Sequence, residues 1–357
     1  MLSNHKTNAI IRKLSNSLLQ KTIPGRILTG PTGVQLAVSN ACNSKCIMCW
    51  INSPLIHNSN IERLSVTNKK LMDFKLAQKC ISHLALMGTK NIYFVGLGEP
   101  LLNNKLPQII AFARSKGINC YLTTNGILLN KSKADELINS GLNAISISLH
   151  AATPETYKKI HPTFNEKGIT HIKEMLNYIH ITRQDKFPEI QLNFVISALN
   201  VHEIIGMIKY TKECSASYIS FIPVWTCRDL NSLLLSNQQI KELYTLKKEV
   251  DRLSEDYSIL TNYDSFLSTL TAFFNSNAIH DKRTQHFYST HPCTIGYMFC
   301  LILADGNVLP CCASCLVMGN IEEQGFREIW YSKKYVKFRK EGIDLPKKKI
   351  PIKNCEL

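Results

Sequence analysis

Val34-Gln-Leu-Ala-Val-Ser39 runs almost directly into Cys42-Asn-Ser-Lys-Cys46-Ile-Met-Cys49. The first stretch is the short apolar run of a buried strand. The second is a loop with three and then two residues between its cysteines. The same order of strand and then polar loop recurs downstream. Residues 91–95, 118–123, 144–149, 190–196 and 218–222 are compact apolar or β-branched runs. Helical periodicities fill the gaps at 67–87, 105–116, 131–140, 168–183 and 201–214, with Thr67 and Thr153 as capping signals. Six strands alternating with helices predict an α/β fold of parallel units joined by right-handed crossovers. The expected architecture is a partial (β/α)6 TIM-like barrel, open rather than closed.

Barrels of this kind carry their chemistry at the C-terminal ends of the strands, in the loops leading to helices. The polar motifs obey that rule. The three cysteines follow strand one, Gly96-Leu-Gly-Glu-Pro100 follows strand two and Thr124-Asn-Gly126 follows strand three. Ser148 and His150 close strand four, and Asn200 lies beyond strand five. Three thiolates on one short loop can hold three corners of a cubane iron–sulfur cluster, leaving one iron open to a small ligand. A structural zinc site closes with a fourth Cys or His, and the next histidine is His57, so zinc is the other reading of this loop.

Thirteen cysteines are an odd number, which full disulfide pairing cannot accommodate. No export signal suggests an oxidising compartment, because the apolar stretch at 9–20 is interrupted by Arg12, Lys13 and Asn16. Three cysteines crowd 42–49 and six fall between Cys293 and Cys355, a pattern that suits thiolate ligation of a soft metal or cluster. Cys80, Cys120, Cys214 and Cys227 stand alone and read as small buried hydrophobes. No stretch approaches the roughly 18 apolar residues that span a bilayer, so the expected location is cytoplasmic, with no membrane span. The absence of acids before Glu62 reads as a basic N-terminal helix, although a transit peptide shares that composition. The net charge is +15, and residues 331–357 hold nine Lys or Arg against three acids. Such a field suits an anionic small molecule, an acidic peptide or, less well, nucleic acid; a solvated basic face is the plainer reading.

The cysteine loop after strand one, with Gly98-Glu99-Pro100 after strand two, resembles the radical S-adenosylmethionine superfamily. That resemblance implies a 4Fe–4S cluster on Cys42, Cys46 and Cys49. S-adenosylmethionine is then expected to contact Gly98, Glu99, Pro100, Asn125, Ser148 and Asn200. A glycine permits close backbone approach, and a carboxylate pairs with the methionyl ammonium. The implied opening step is reductive cleavage of the cofactor to a 5′-deoxyadenosyl radical, with electrons from a reductant such as flavodoxin or ferredoxin. Trp50 reads as packing or as a shield for the cluster, and His150 is the candidate proton-moving residue.

Cys293 is followed by twelve residues, Gly306, four residues and Cys311. Leu303-Ala-Asp-Gly-Asn-Val-Leu-Pro310 reads as a β-hairpin turning at Asp305-Gly306, and Phe326-Arg-Glu-Ile-Trp330 as a helix. Together they resemble the SPASM or shorter twitch extension of radical enzymes, which implies an auxiliary iron–sulfur cluster. The family's Cys-x2-Cys pair after that helix is incomplete, because Cys355 is followed only by Glu356 and Leu357. The expected ligands are Cys293, Cys311, Cys355 and Cys315, with Cys312 and Cys300 as other choices for the fourth and zinc as another occupant. The domains expected are a basic helical extension at 1–33, the barrel at 34–235, a helical linker at 236–290 and the auxiliary domain at 291–357.

The reaction expected is hydrogen abstraction leading to oxidation of a sugar-like small metabolite or a peptide, aided by the auxiliary cluster. A radical RNA methylase is one alternative. Another is a non-catalytic iron–sulfur or zinc module that binds nucleic acid, which would leave Gly98-Glu99-Pro100 and the six β/α units without a purpose.

Overall fold

Alternation along the strands decides which face meets the helices. The computed structural model describes residues 25, 27–56, 71–183, 187–224, 228–274 and 291–348. In it, β1 (Gly33–Leu36), β2 (Asn91–Phe94), β3 (Asn119–Thr124), β4 (Ala144–Ser148), β5 (Glu189–Ile196) and β6 (Tyr218–Pro223) lie side by side in chain order, all parallel. On one face Ile92, Phe94, Leu122, Ile147, Leu192, Phe194 and Phe221 are buried in the main core. Each contributes roughly 1.5–3 kcal/mol by leaving water. The opposite face carries Thr123, Ser146, Ser148, Gln191, Asn193 and Ser220, all half-buried. A parallel sheet covered on both sides would be apolar throughout; a polar second face is the inner wall of a partial barrel.

The helices are α1 (Phe74–Leu86), α2 (Leu106–Ser115), α3 (Lys131–Asn139), α4 (Pro154–Ile160), α5 (Lys167–Thr182) and α6 (Ile204–Glu213). Asp73 caps α1 by accepting from the Leu76 amide at 2.8 Å. That helix therefore starts later than the periodicity predicts, and Thr67 lies outside the described residues. Thr153 caps α4 as expected, with Pro154 in the first turn.

Two additions escape the sequence reading. Of the stretch expected to be a helical linker, 275–290 lies outside the described residues; the described part carries α7 (Asn237–Thr245), α8 (Lys247–Tyr257) and α9 (Tyr263–Phe274), and it also adds β7 (Leu260–Thr261) parallel to β6. Tyr263 and Phe266 of α9 pack their rings on Phe221. At the other edge, β8 (Phe299–Ile302) pairs in parallel with β1, and β9 (Asn307–Leu309) and β10 (Gly319–Asn320) follow antiparallel. The predicted hairpin is β8–β9; Gly306 takes φ +86 at its turn, where side chains are strained. Then come α10 (Phe326–Trp330) and α11 (Lys333–Lys348). The helix expected over 1–33 falls mostly outside the described residues. Among these, no helix is long and apolar enough to cross a membrane.

Candidate active site

Beyond β1 the chain turns at Ser39, whose hydroxyl donates to Ala41 O at 2.9 Å. The cysteine loop that follows is braced by segments distant in sequence. The Ile47 amide donates to Ile160 O at 2.9 Å and the Lys45 amide to Thr163 Oγ1 at 2.9 Å. Backbone amides also point at sulfur, Ser44 to Cys42 Sγ at 3.4 Å and Asn52 to Cys49 Sγ at 3.2 Å. Ala37, Ile51, Leu97, Leu301 and Leu303 pack with Cys49 and Trp50 on one side. Met48, Ile160, Val224, Leu230 and Leu233 pack around Cys46 on the other.

Burial, with a smaller push from the neighbouring thiols, raises the Cys42 thiol to about 11 and Cys46 to about 12. Neighbouring thiols that oppose the ionisation of Cys42 and Cys46 are a donor set that a cation relieves, with release of their protons. Among the described residues no three His, Cys, Asp or Glu side chains converge on a single ion. A cubane places each thiolate on a different iron, so the loop fits that group.

The second loop docks on the first. A Cβ at Gly98 would lie 2.1 Å from Ala41 O, so only glycine fits there. The next amide, of Glu99, donates to that same carbonyl at 2.8 Å. The Glu99 carboxylate is 2% exposed and accepts from the Leu101 amide at 2.9 Å, Thr124 Oγ1 at 2.5 Å and the Asn125 amide at 2.8 Å. Burial raises its pKa, and the three donors oppose that rise. A carboxylate offers about four acceptor positions, so about one is left for an ammonium group. Pro100 opens the short 3-10 turn Pro100–Leu102. Asn125 Nδ2 donates to Asn43 Oδ1 at 2.8 Å, which ties the third loop to the first.

Two of the expected site residues have other work. Asn200 is fully buried, and its amide is fully used. Nδ2 donates to His150 O and Val195 O at 2.8 and 2.9 Å, while Oδ1 accepts from the Ser197 amide and hydroxyl at 2.8 and 3.1 Å. With both donors and both acceptor positions engaged, Asn200 has nothing left for a cofactor and locks the loop after β5 instead. His150 sits at φ +61, its Nδ1 accepting from the Val195 amide at 3.0 Å. Burial pushes its pKa down to about 3, so it is neutral and carries its proton on Nε2. That arrangement suits a brace better than the proton-moving role expected of it. Ser148, by contrast, is half-buried at the end of β4, and its hydroxyl bonds to none of the described residues.

Sequence reasoning missed His161. It is 1% exposed, donates from Nε2 to Leu149 O at 2.9 Å and meets Cys46 Sγ with Nδ1 at 3.2 Å. Nδ1 is therefore the acceptor of the Cys46 S–H, and Ser44 Oγ, 3.1 Å from the same sulfur, is the donor. No spacing signal links residues 115 positions apart. Asn43 and Thr163 were missed for the same reason, and Thr124 stood in the strand-three motif without a role of its own.

The C-terminal cysteines differ in burial. All eleven cysteines among the described residues are thiols. Cys80, Cys120 and Cys214 are buried, as lone cysteines should be, and Cys227 lies outside the described residues. The Cys293 amide donates to Gly342 O at 2.9 Å. Cys311 is buried, Cys315 half-buried, Cys312 exposed, and Cys300 sits in the main core. Cys355 lies outside the described residues.

The Radical SAM superfamily pattern matches residues 36–210, and the SPASM iron–sulfur cluster-binding domain matches 293–356. The AdoMet-dependent heme synthase of Methanosarcina barkeri is 27% identical over 304 residues, covering 84% of this chain and 82% of that protein. The GTP 3′,8-cyclase of Lactiplantibacillus plantarum is 31% identical over 196 residues, and the match spans 54% of each protein. Among solved structures, Streptococcus suis SuiB bound to precursor peptide SuiA has a TM-score of 0.64 at 16% identity, covering 93% of this chain and 73% of that one. Native anSMEcpe with bound AdoMet has a TM-score of 0.62 at 19% identity, covering 87% of this chain and 84% of that one. At such identities these two likenesses show the fold alone. Barrel, cysteine loop and sequence matches agree: the chain is a radical S-adenosylmethionine enzyme, using a 4Fe–4S cluster and S-adenosylmethionine and carrying a C-terminal SPASM region for auxiliary iron–sulfur binding.

Proposed function

We propose that Cys42, Cys46 and Cys49 hold the 4Fe–4S cluster and that S-adenosylmethionine lies across Gly98, Glu99, Pro100, Asn125 and Ser148. The observation that carries this reading is the Glu99 carboxylate, buried and fixed by three donors beside the cysteine loop. When bound, the cluster and S-adenosylmethionine supply the 5′-deoxyadenosyl radical that takes a hydrogen atom, and the auxiliary group supplies an acceptor for the substrate's electron. The chain's own part is to orient and to keep water out. Glu99 pairs with the methionyl ammonium, and the two apolar packs on either side of Cys46 and Cys49 exclude solvent and stray hydrogen donors. An acidic carrier such as flavodoxin or ferredoxin delivers the electron, drawn by the +15 net charge.

The inner wall of the barrel supports a substrate class. Thr123, Ser146, Gln191 and Tyr218 stand opposite one another in register across β3 to β6, and Ser148, Asn193 and Ser220 form the next row. Ser146 donates to Gln191 at 3.0 Å, and none of the seven side chains is charged. Such a wall favours an uncharged substrate rich in hydroxyl or amide groups, a sugar-like metabolite or a peptide segment, oxidised at carbon. A second reading follows the heme synthase likeness and takes a carboxylate-bearing macrocycle. That substrate calls for cations that these rows do not provide.

Anaerobically reconstituted protein given dithionite and S-adenosylmethionine should release 5′-deoxyadenosine. Protein that binds only zinc at positions 42, 46 and 49 and releases none would overturn the reading. Porphyrin absorbance shifts on mixing would favour the macrocycle.

A further inference from the structure

One patch of the surface reaches a cysteine of the first loop through aromatic rings. His161 meets Cys46 Sγ with Nδ1 at 3.2 Å, and its ring stacks on Phe164, centroids 6.3 Å apart and planes 27° from parallel. The Phe164 amide donates to His161 O at 2.9 Å, a turn that holds the second ring against the first. His161 is buried, Phe164 half-buried, and Pro162, Thr163 and Asn165 beside it are exposed. Sulfur, imidazole and phenyl ring thus form a graded line from the loop to solvent. Electron tunnelling weakens steeply across empty space, so closely spaced sulfur and π groups carry it better than the largely aliphatic pack beside Cys49.

The outer end of that line is positive. Lys45 is exposed, and its amide is anchored on Thr163 Oγ1 at 2.9 Å. Lys167 is exposed and opens α5, which has no acid in its first turn, so the positive end of the helix dipole stands unanswered there. Neither lysine has an acidic partner among the described residues. The two nearby acids are already paired, Glu166 with Lys158 at 3.1 Å and Glu155 with Lys159 at 2.7 Å. We propose that the patch of Lys45, Phe164 and Lys167 is where an acidic one-electron carrier docks, and that its electron passes through Phe164 and His161 to Cys46. This rests on the reading of Cys42, Cys46 and Cys49 as cluster ligands. The carrier gives up one electron and the cluster gains it; no bond forms or breaks at the patch. Redox encounters of this kind use small, charge-steered interfaces that weaken with salt.

The test uses anaerobically reconstituted enzyme and purified flavodoxin. Titration calorimetry with the oxidised carrier, which gives no turnover, reads docking alone. Lys167→Glu should weaken that binding about 5-fold at low salt, the worth of losing one exposed ion pair and gaining one repulsion, and the difference should fade at high salt. Stopped-flow oxidation of reduced flavodoxin reads the route. At saturating carrier Phe164→Leu should lower that rate and Phe164→Tyr should retain it. In each impaired variant, 5′-deoxyadenosine release driven by flavodoxin should fall relative to release driven by dithionite, which needs no docking. Unchanged binding in Lys167→Glu, or an unchanged transfer rate in Phe164→Leu, overturns this proposal by itself. So does a parent that responds to dithionite but takes no electron from flavodoxin. A parent that binds only zinc at positions 42, 46 and 49 overturns the cluster reading and this proposal with it.

Discussion

The two cysteine regions differ in how complete they are before anything binds. Around residues 42–49 the Lys45 and Ile47 amides, His161 and the Glu99 carboxylate have protein partners, and three strand-end loops are bonded into one frame. On α11 the Arg339 Nη groups and the Tyr335 hydroxyl are buried and have no hydrogen-bond partner among the described residues. The first region is preorganised, and a ligand finds its geometry ready. In the second, a buried donor without an answering acceptor is costly to the fold.

The largest effect should separate the two outright. Loss of an outer-shell residue costs metal sites roughly 10–100-fold, so Cys46→Ala, which removes a proposed cluster ligand, should lower 5′-deoxyadenosine release by more than about 100-fold. Cys311→Ala should leave release in place while lowering the iron content. Equal losses in both would mean that the regions act as one site. Asn200→Ala comes next. It deletes a side chain making four buried hydrogen bonds, and should cost about 2–4 kcal/mol in denaturant unfolding. A loss of cofactor affinity at unchanged stability would return Asn200 to the binding site. Gly98→Ala forces a methyl against Ala41 O and should cost about 1–3 kcal/mol of local strain. Dialysis against S-adenosylmethionine should show weaker binding, with auxiliary iron untouched.

The smallest effect is on pH. Unfolded, a histidine takes its proton near 6.5; folded, His150 resists until about 3 and His161 until about 4. Between those values the unfolded state binds more protons. The stabilisation is complete above about 6.5 and is lost as pH falls toward 4, by up to about 1.4 kcal/mol per pH unit for each histidine. Melting curves should show this acid slope, shallower in His150→Asn.

Strand order, the cysteine loop and the docking glycine were legible because each rests on local sequence: alternation, spacing, and a Gly-Glu-Pro run at a strand end. What stayed hidden is what the fold brings together. Asn200 and Ser148 are both polar residues near strand ends, and only the geometry shows that one is spent on backbone and the other is not. His161 reaches Cys46 across the barrel mouth, and β7 is too short to announce itself. Arg339 looked like one more member of a basic tail until it proved to be buried.

The seam between β1 and β8 has a consequence for biosynthesis. Residues 33–36 pair with 299–302, and Thr32 Oγ1 donates to Met298 O across 266 positions. On the ribosome, the first strand therefore waits with a bare edge until residues 299–302 have emerged. Contacts this distant form slowly, and an unpaired edge invites aggregation. The seam thus leaves closure of the sheet on this side to one of the last strands made among the described residues.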